Sequence, residues 1–391
     1  MSTLMNTVSR YILILFLFYL LWYKEVAGNM LMVLYGGAIL CVISVALSLH
    51  KQSMKVLYIP EGLKWHCLFG FFCLISGLIV AKDNELLIKS LITYFSFLAI
   101  CYLICIVSNK AGSFLWLYNS LILISLLSFL CIMIAPFDYY NGIMVKTLGE
   151  QNNPNTLAVV MFAGIFSLLT KYDGSLRRFF SILLLYLPFL YTIIETGSKK
   201  GLIAALLIFG IWLYMIKQNK KFVLSRTHNL IINTIIFTVI FSLIYYFTFY
   251  FVDTVSYQRL SLVFTSNSTL MRMSFYEEAI NFFKESPLVG IGFSQFILHS
   301  QFGKYSHSTY AEVLACTGII GTLLYFYPII KCGKILFSKN IRDDYKAGIF
   351  LGLYIVEIFL GSSNIFMYEP LHMIFWTVLF YYSQDKMYKC R

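Results

Sequence analysis

The segment YSHSTYAEVLACTGIIG, residues 305–321, places a histidine at the beginning of a strongly apolar helix. On that helix His307 and Tyr310 would share one face, because they are three residues apart, and Ser308 and Glu312 would share another. An imidazole titrates near neutral pH and can accept a proton from a hydroxyl group. His307 is therefore a candidate general base, while Ser308 fits the N-cap of the helix and Glu312 fits packing support.

Two lysines lie at the start of another apolar helix, in ETGSKKG, residues 195–201. Lys199 and Lys200 oppose the helix dipole unless an anion binds at the same place, since the N-terminal amides of a helix favour negative charge. We expect both lysines to bind a phosphate or diphosphate group. Contact with lipid headgroups is the alternative.

An arginine occupies an unexpected position in STLMRMSFYEEAINFFKES, residues 268–286, which is predicted to form an amphipathic helix. At about 100° per residue, Arg272 projects into the middle of the apolar arc of that helix, close to Tyr276. A guanidinium group there must pair with an anion or extend to lipid headgroups. The sequence therefore makes Arg272 a second candidate for the anion site, with headgroup contact as the alternative.

Three further residues complete the candidate set. Arg259 is included for its charge, and Tyr310 because it is expected on the face of His307. Glu150 lies beside the Asn-Pro turn of GEQNNPNTLA, where a carboxylate can bind sugar hydroxyls. Turn formation is the simpler explanation of that stretch.

The composition indicates what must hold these residues in place. Hydrophobic residues make up 59% of the 391-residue chain and charged residues only 12%. A soluble chain of this length does not need so much apolar surface, whereas membrane spans of about 20 apolar residues do. The sequence therefore predicts an all-α polytopic membrane bundle. Twelve candidate spans lie near residues 10–23, 27–48, 65–81, 86–107, 113–135, 155–170, 177–195, 201–216, 230–251, 307–330, 347–366 and 370–383.

The basic residues predict the orientation of these spans. With the N-terminus inside, twenty of the thirty Lys and Arg residues fall on the inner side, nine on the outer side, and Lys89 within a span. Because basic residues favour the cytoplasmic side, both termini are expected there. The net charge of +12 is then a topology signal, and we expect no nucleic-acid partner.

The chain is predicted to be one membrane domain, residues 1–391, interrupted by one large extracytoplasmic loop, residues 252–306. That loop contains the predicted amphipathic helix, and a long loop in a compact protein is usually functional. The SPLVGIGFSQF stretch within it is a weak phosphate motif, because no strand precedes its glycines. Seven of the nine cysteines fall within spans, and no CxxC or cysteine–histidine metal spacing occurs. We expect no disulfide framework, no metal and no cofactor.

Taken together, the candidate residues fit one reaction on the outer face. His307 would take the proton of an attacking hydroxyl while Lys199, Lys200, Arg259 and Arg272 hold the charge of a departing phosphorylated group. Hydrolysis of a glycoside would instead need two facing carboxylates, and no such pair stands out in the sequence.

These motifs resemble the O-antigen ligase and polymerase superfamily of polytopic membrane glycosyltransferases. The resemblance rests on TGSKKG, on Arg272 with FYEEAINFFKESPLVGIGFSQF, and on HSTYAEVLACTGIIG, and it covers about residues 149–325. It implies metal-independent glycan transfer from an undecaprenyl-diphosphate carrier on the periplasmic face of the bacterial inner membrane, with Arg272 and His307 at the motif positions. Lys199 stands where the family often has arginine, which loses bidentate phosphate recognition.

Three functions follow from the resemblance and the spans. The amino-acid sequences of the motifs are most similar to those of Wzy-type polymerases, which join lipid-linked oligosaccharide repeat units. A ligase transferring finished polymer to lipid A–core is the first alternative. A lipid-linked oligosaccharide flippase is the second, although its two related halves and mid-membrane polar residues are not evident. Lys89 and Glu357 are the main charges within spans and would simply pair. Membrane lipids and a chain-length regulator protein are the further partners expected for a polymerase.

Overall fold

The computed structural model describes residues 2–23, 36–43, 46, 58–135, 137–140, 143–146, 154–218, 226–245, 267–338 and 345–389. Over these residues the fold is an all-α bundle, as the sequence predicts. A short antiparallel hairpin, β1 (Phe137–Tyr140) and β2 (Ile143–Lys146), lies in the predicted loop before residue 154. The hairpin does not alter the fold class.

The first part of the bundle extends from Ser2 to Tyr245. Its helices are α1 (Ser2–Phe18, continued by a π-turn over Tyr19–Tyr23), a helical segment over residues 36–43, α2 (Glu61–Val80), α3 (Asn84–Ala111), α4 (Leu115–Ile134), α5 (Pro154–Leu169), α6 (Leu176–Glu195), α7 (Lys199–Gln218) and α8 (Arg226–Tyr245).

The second part of the bundle begins with the described portion of the large predicted loop, residues 267–306. Its helices are α9 (Asn267–Glu285), α10 (Phe296–His299), α11 (Thr309–Leu336), α12 (Tyr345–Gly361), a 3₁₀ turn over Phe366–Tyr368, and α13 (Pro370–Lys389).

Six of the described helices are long and apolar enough to cross a membrane, judged by length and composition. They are α2, α3, α4, α6, α7 and α11, and each matches a predicted span. The predicted spans near 155–170, 347–366 and 370–383 are also helical, as α5, α12 and α13, and α8 covers 230–251 as far as Tyr245. The predicted span 27–48 lies largely outside the described residues.

Helix α5 forms the centre of the first half of the bundle. Nearly every residue of α5 is buried, against α4, α6 and α7. Aromatic side chains join it to the second half, where the Phe162 ring meets Phe375 and the Phe166 ring meets Phe350, at centroid distances of 5.8 and 5.7 Å. Such close packing is what holds helices together in a membrane, where burial from water does not drive association.

The outward faces of the long helices are apolar. Ile79, Ile134 and Leu184 have exposed fractions of 79%, 86% and 72%. An exterior of this kind needs an apolar solvent, because an exposed apolar surface of this extent in water would promote aggregation. The membrane assignment therefore follows from the exterior as well as from helix length.

The loop that precedes α11 is built into the bundle. Gly318 interrupts α11 with φ 61° and ψ −163°, which leaves nearby backbone groups without their helical partners. The loop supplies substitutes, since Ile291 N donates to the Ala315 carbonyl (3.0 Å) and Ile319 N donates to the Pro287 carbonyl (2.8 Å). Backbone groups inside a membrane must be paired in this way.

Glycines permit that close approach. A Cβ atom at Gly290, where φ is +71°, would lie 2.4 Å from the backbone of Cys316, and one at Gly318 would lie 2.5 Å from Leu288. The glycines of SPLVGIGFSQF therefore allow the loop backbone to contact α11, which explains them without a phosphate-binding role.

Gln295 fixes the loop to the turn before α3 through two hydrogen bonds with the Asp83 backbone, of 2.8 and 3.0 Å.

Candidate active site

The turn between α12 and α13 is the meeting point of the elements that carry the candidate residues. The Lys200 ammonium donates to the Ser363 carbonyl (3.0 Å) and to the Asn364 side-chain oxygen. The Asn364 carbonyl accepts from both the backbone N–H and the hydroxyl of Thr309, at 2.9 and 2.6 Å. The start of α7 and the start of α11 are thus held against the same short turn that follows α12, residues 362–364.

Tyr276 attaches α9 to the same place. Its hydroxyl lies 3.1 Å from the Ser308 hydroxyl oxygen and 3.1 Å from the Ser362 carbonyl oxygen. Ser308 is the N-cap of α11, where its side chain accepts from the Ala311 N–H, so its predicted capping role is seen in the structure. The helix that carries Arg272 is therefore fixed beside the residue that follows His307.

His307 precedes α11 and does not lie on the helix. Its φ of +56° is in the left-handed region, which is uncommon for a residue with a side chain. The expectation that His307 and Tyr310 share a helical face is wrong for this reason. Neighbouring bonds hold the turn, since the Ser306 N–H donates to the Glu312 carboxylate (3.0 Å) and the Ser306 hydroxyl donates to the Ser308 carbonyl (2.9 Å). Glu312 is fully buried, as packing support would require.

The surroundings of His307 favour its neutral form. Partial burial lowers the pKa of the imidazole, and the positive charges of Arg272, Lys200 and Lys304 lower it further. The ring also lies against Phe275, with centroids 5.9 Å apart. A histidine with a pKa below its usual 6.5 is neutral at pH 7 and can accept a proton, as a general base must.

Arg272 extends from the exposed side of α9. The residues of α9 that pack inward are Phe275 and Ala279, while Met273 and Ile280 are exposed. The loop and α11 therefore cover only part of the predicted apolar arc, at Ala279, and leave Met273 and Ile280 uncovered. Arg272 is exposed, and its charge acts on both His307 and Lys200.

The two motifs TGSKKG and NNPN meet in the fold. The Ser198 hydroxyl donates to the Asn155 side-chain oxygen (2.9 Å), and the same hydroxyl oxygen accepts from the Gly201 N–H (3.3 Å). Ser198 thus caps α7 and ties it to the start of α5. Lys199 is the first residue of α7 and is exposed.

The remaining candidates contribute less to this arrangement. The Tyr310 hydroxyl donates to the Ile358 carbonyl (2.6 Å), and its ring stacks on Phe326. The hydroxyl hydrogen is therefore engaged with α12. Arg259 and Glu150 lie outside the described residues.

A buried charged cluster beside the turn is missing from the sequence prediction. His372 Nδ1 lies 2.9 and 3.2 Å from the two Glu357 oxygens, and Nε2 lies 3.2 Å from Glu369 and 3.0 Å from the Asn364 amide nitrogen. The pairing of Glu357 with Lys89 is wrong, since Glu357 contacts His372 and Lys89 is exposed. The signal was available, because Glu369 and His372 are three residues apart at a helix start.

Part of the chain is similar to a known protein family. Residues 180–326 match the family model described as Wzy_C, O-antigen ligase. That segment includes α7, α9 and the beginning of α11, and so Lys200, Arg272 and His307. The resemblance to the O-antigen ligase and polymerase superfamily is confirmed over these residues.

One solved structure that matches the chain in part is described as "Structural coordination of polymerization and crosslinking by a peptidoglycan synthase complex". It is 12% identical to the chain, with a TM-score of 0.48, and the similarity covers 84% of this chain and 99% of the other. No curated protein matches the chain by sequence.

Proposed function

We propose that the protein is a membrane glycosyltransferase that polymerises undecaprenyl-diphosphate-linked oligosaccharide repeat units into O-antigen or a related surface polysaccharide. The observation that carries the proposal is the position of His307, a neutral base beside the cations Arg272, Lys200 and Lys304. A base and a cationic group side by side suit the transfer of a sugar from a diphosphate to a hydroxyl. The site faces the periplasm in this proposal, and both termini lie in the cytoplasm.

The reaction needs one bond to form and one to break. The acceptor hydroxyl oxygen attacks the anomeric carbon of the donor sugar while His307 takes the hydroxyl proton. The bond from that carbon to the diphosphate oxygen breaks, and undecaprenyl diphosphate leaves with the electron pair. Arg272, Lys199 and Lys200 stabilise the negative charge on the leaving group. His307 then returns its proton to solvent.

Transfer of a finished polymer to lipid A–core is the second candidate, and the description of the matching family model as a ligase favours it. The chemistry at His307 would be the same, because both reactions release undecaprenyl diphosphate. The two functions differ in the acceptor and therefore in the glycan that accumulates when the protein is lost.

Deletion of the gene separates these functions. A polymerase deletion leaves a single repeat unit on the lipid anchor at the cell surface, and this is the expected result. Full-length polymer retained on undecaprenyl diphosphate would instead identify a ligase. Repeat units trapped on the cytoplasmic side would contradict both and indicate a flippase.

A further inference from the structure

Glu369 is a carboxylate at the edge of a site whose other charged side chains are cations. Its side chain is 38% exposed, whereas its partner His372 is fully buried. The Glu369 charge acts on the Lys200 ammonium, as does that of Arg272. Glu369 is therefore linked through His372 and Asn364 to the ammonium proposed to bind the diphosphate, and its carboxylate is partly exposed.

The backbone fixes where Glu369 points. Pro370 follows it, and Glu369 has the extended conformation, φ −121° and ψ 115°, that a residue before proline prefers. Its N–H donates to the Phe366 carbonyl (3.2 Å), and its carbonyl accepts from Met373 N–H (3.4 Å). The carboxylate is thus held at the start of α13, where the helix dipole favours negative charge.

The side chain of Glu369 is held by His372, and His372 is held by Glu357. Glu357 contacts Nδ1 with both carboxylate oxygens, which turns Nε2 towards Glu369. Glu357 and His372 are both fully buried. A buried carboxylate that orients a histidine, which positions a third group, is an arrangement suited to preorganising a site.

Stability gives no sufficient reason for this cluster. Replacing a buried ion pair by apolar residues of similar volume is often neutral or stabilising, because desolvation offsets the attraction. Ionisable groups among membrane helices are accordingly functional in most cases. Two carboxylates, one histidine and the Lys200 ammonium form a group whose exposed end is Glu369.

The chemical nature of the Glu369 carboxylate determines which part of a substrate it can bind. Burial raises the pKa of Glu369, but the hydrogen bond from His372 and the positive charges of His372 and Lys200 lower it by more, so the group is ionised at neutral pH. A carboxylate repels a diphosphate and accepts hydrogen bonds from hydroxyl groups. Sugars present several such hydroxyls.

We propose that Glu369, positioned by His372 and Glu357, binds a hydroxyl group of the acceptor saccharide. The inference rests on the proposed transferase function and divides its site into two parts. The cations Lys200 and Arg272 bind the diphosphate of the donor, and the carboxylate of Glu369 binds the acceptor.

The test uses the full-length protein in lipid vesicles. The donor is the undecaprenyl-diphosphate-linked repeat unit isolated from cells that lack this protein, and the acceptor is the soluble oligosaccharide released from it by mild acid. The initial rate of transfer is measured against acceptor concentration, and undecaprenyl diphosphate is added as an inhibitor that reports on the donor part of the site.

Glu369→Gln is expected to raise the acceptor KM about tenfold or more, the effect of losing one charge-assisted hydrogen bond. The inhibition constant of undecaprenyl diphosphate should stay within about twofold. His372→Gln should raise the same KM by a smaller factor, because it removes the positioning group and leaves the carboxylate. Glu85→Gln, which changes an exposed carboxylate in the first turn of α3, is the matched control and should change neither constant.

Other outcomes overturn the inference in distinguishable ways. A changed inhibition constant with an unchanged KM would mean that Glu369 acts only as the electrostatic partner of Lys200. A lower kcat with an unchanged KM would assign it to proton transfer. If Glu369→Gln does not fold, Glu369→Asp shortens the side chain and must still raise KM. Failure of the wild-type protein to transfer sugar at all would overturn the proposed function itself.

Discussion

The Lys200 ammonium donates to the Ser363 carbonyl oxygen, 3.0 Å away, across a separation of 163 residues in the chain. This contact joins the start of α7 to the turn that also receives Thr309 at the start of α11. The cation of TGSKKG and the histidine of HSTYAEV therefore belong to one site. The family match includes both motifs but not the turn that joins them.

Lys200→Met removes that contact together with the positive charge. We expect the rate of transfer to fall about 10- to 100-fold, because a charge-assisted hydrogen bond to the diphosphate is lost. Surface glycan ladders and transfer rates in membranes measure this. Lys217→Met is the control, since Lys217 lies at the other end of α7 and pairs with Asn233. Equal losses in both variants would contradict a specific role for Lys200.

Tyr276→Phe removes the hydroxyl that links α9 to the α11 cap and to the α12–α13 turn. Loss of such a hydrogen bond costs about 0.5–1.5 kcal/mol, so the protein should still fold. Transfer should fall several-fold, because Arg272 and His307 are then positioned less firmly. Tyr327→Phe is the control, on an exposed ring of α11. Unchanged transfer in the Tyr276 variant would remove this link from the account.

The pH dependence of transfer follows from the lowered pKa of His307. The base acts when neutral, so kcat/KM should rise with pH through that pKa, below 6.5, and level off above it. Lys304→Gln removes one nearby positive charge, which raises the pKa and moves the rise to higher pH.

Lys284→Gln serves as the control for that shift. Lys284 is exposed near the end of α9, about 18 Å along the helix from Arg272. Its pH profile should match that of the wild type. A rise in kcat/KM that stays at the same pH in Lys304→Gln would show that another group controls the profile.

Gly290→Ala should destabilise the folded bundle. The new Cβ atom would meet the backbone of α11 at 2.4 Å, and the residue has φ +71°. Gly303→Ala is the control, because Gly303 has φ +57° and open space around it. In the control, backbone strain should lower the free energy of unfolding by about 1 kcal/mol. Gly290→Ala should lower it by clearly more, because the new atom also overlaps the backbone of α11. Thermal unfolding in detergent compares them, and equal losses would contradict the close contact between loop and helix.

The fold could be predicted from the sequence as far as membrane burial decides it. Apolar length identifies helices such as α3 and α6 because each must span the same thickness. The covered face of α9 could not be predicted, since some of its apolar residues pack against the loop and α11 while others stay exposed. Whether such a face is buried depends on how the loop returns to the break at Gly318, a long-range contact without a local pattern.

The candidate site was predicted in part, for a similar reason. Lys200 and Arg272 could be identified from the sequence, because a cation at a helix start or on an apolar face is unfavourable unless an anion lies nearby. The cluster around His372 has only a weak sign in the sequence, the three-residue spacing of Glu369 and His372. Its members lie on two helices and a turn, and each looks ordinary until the fold brings them together.

Replacing His307 tests the central claim most directly, with His299→Ala as the control on the other histidine of the described loop. His307→Ala should reduce the transfer rate between about 100- and 10,000-fold, the usual contribution of a general base. The variant should insert into the membrane in normal amounts and bind undecaprenyl diphosphate as the wild type does, while His299→Ala stays active. Near-wild-type transfer and normal glycan ladders in His307→Ala would contradict the account.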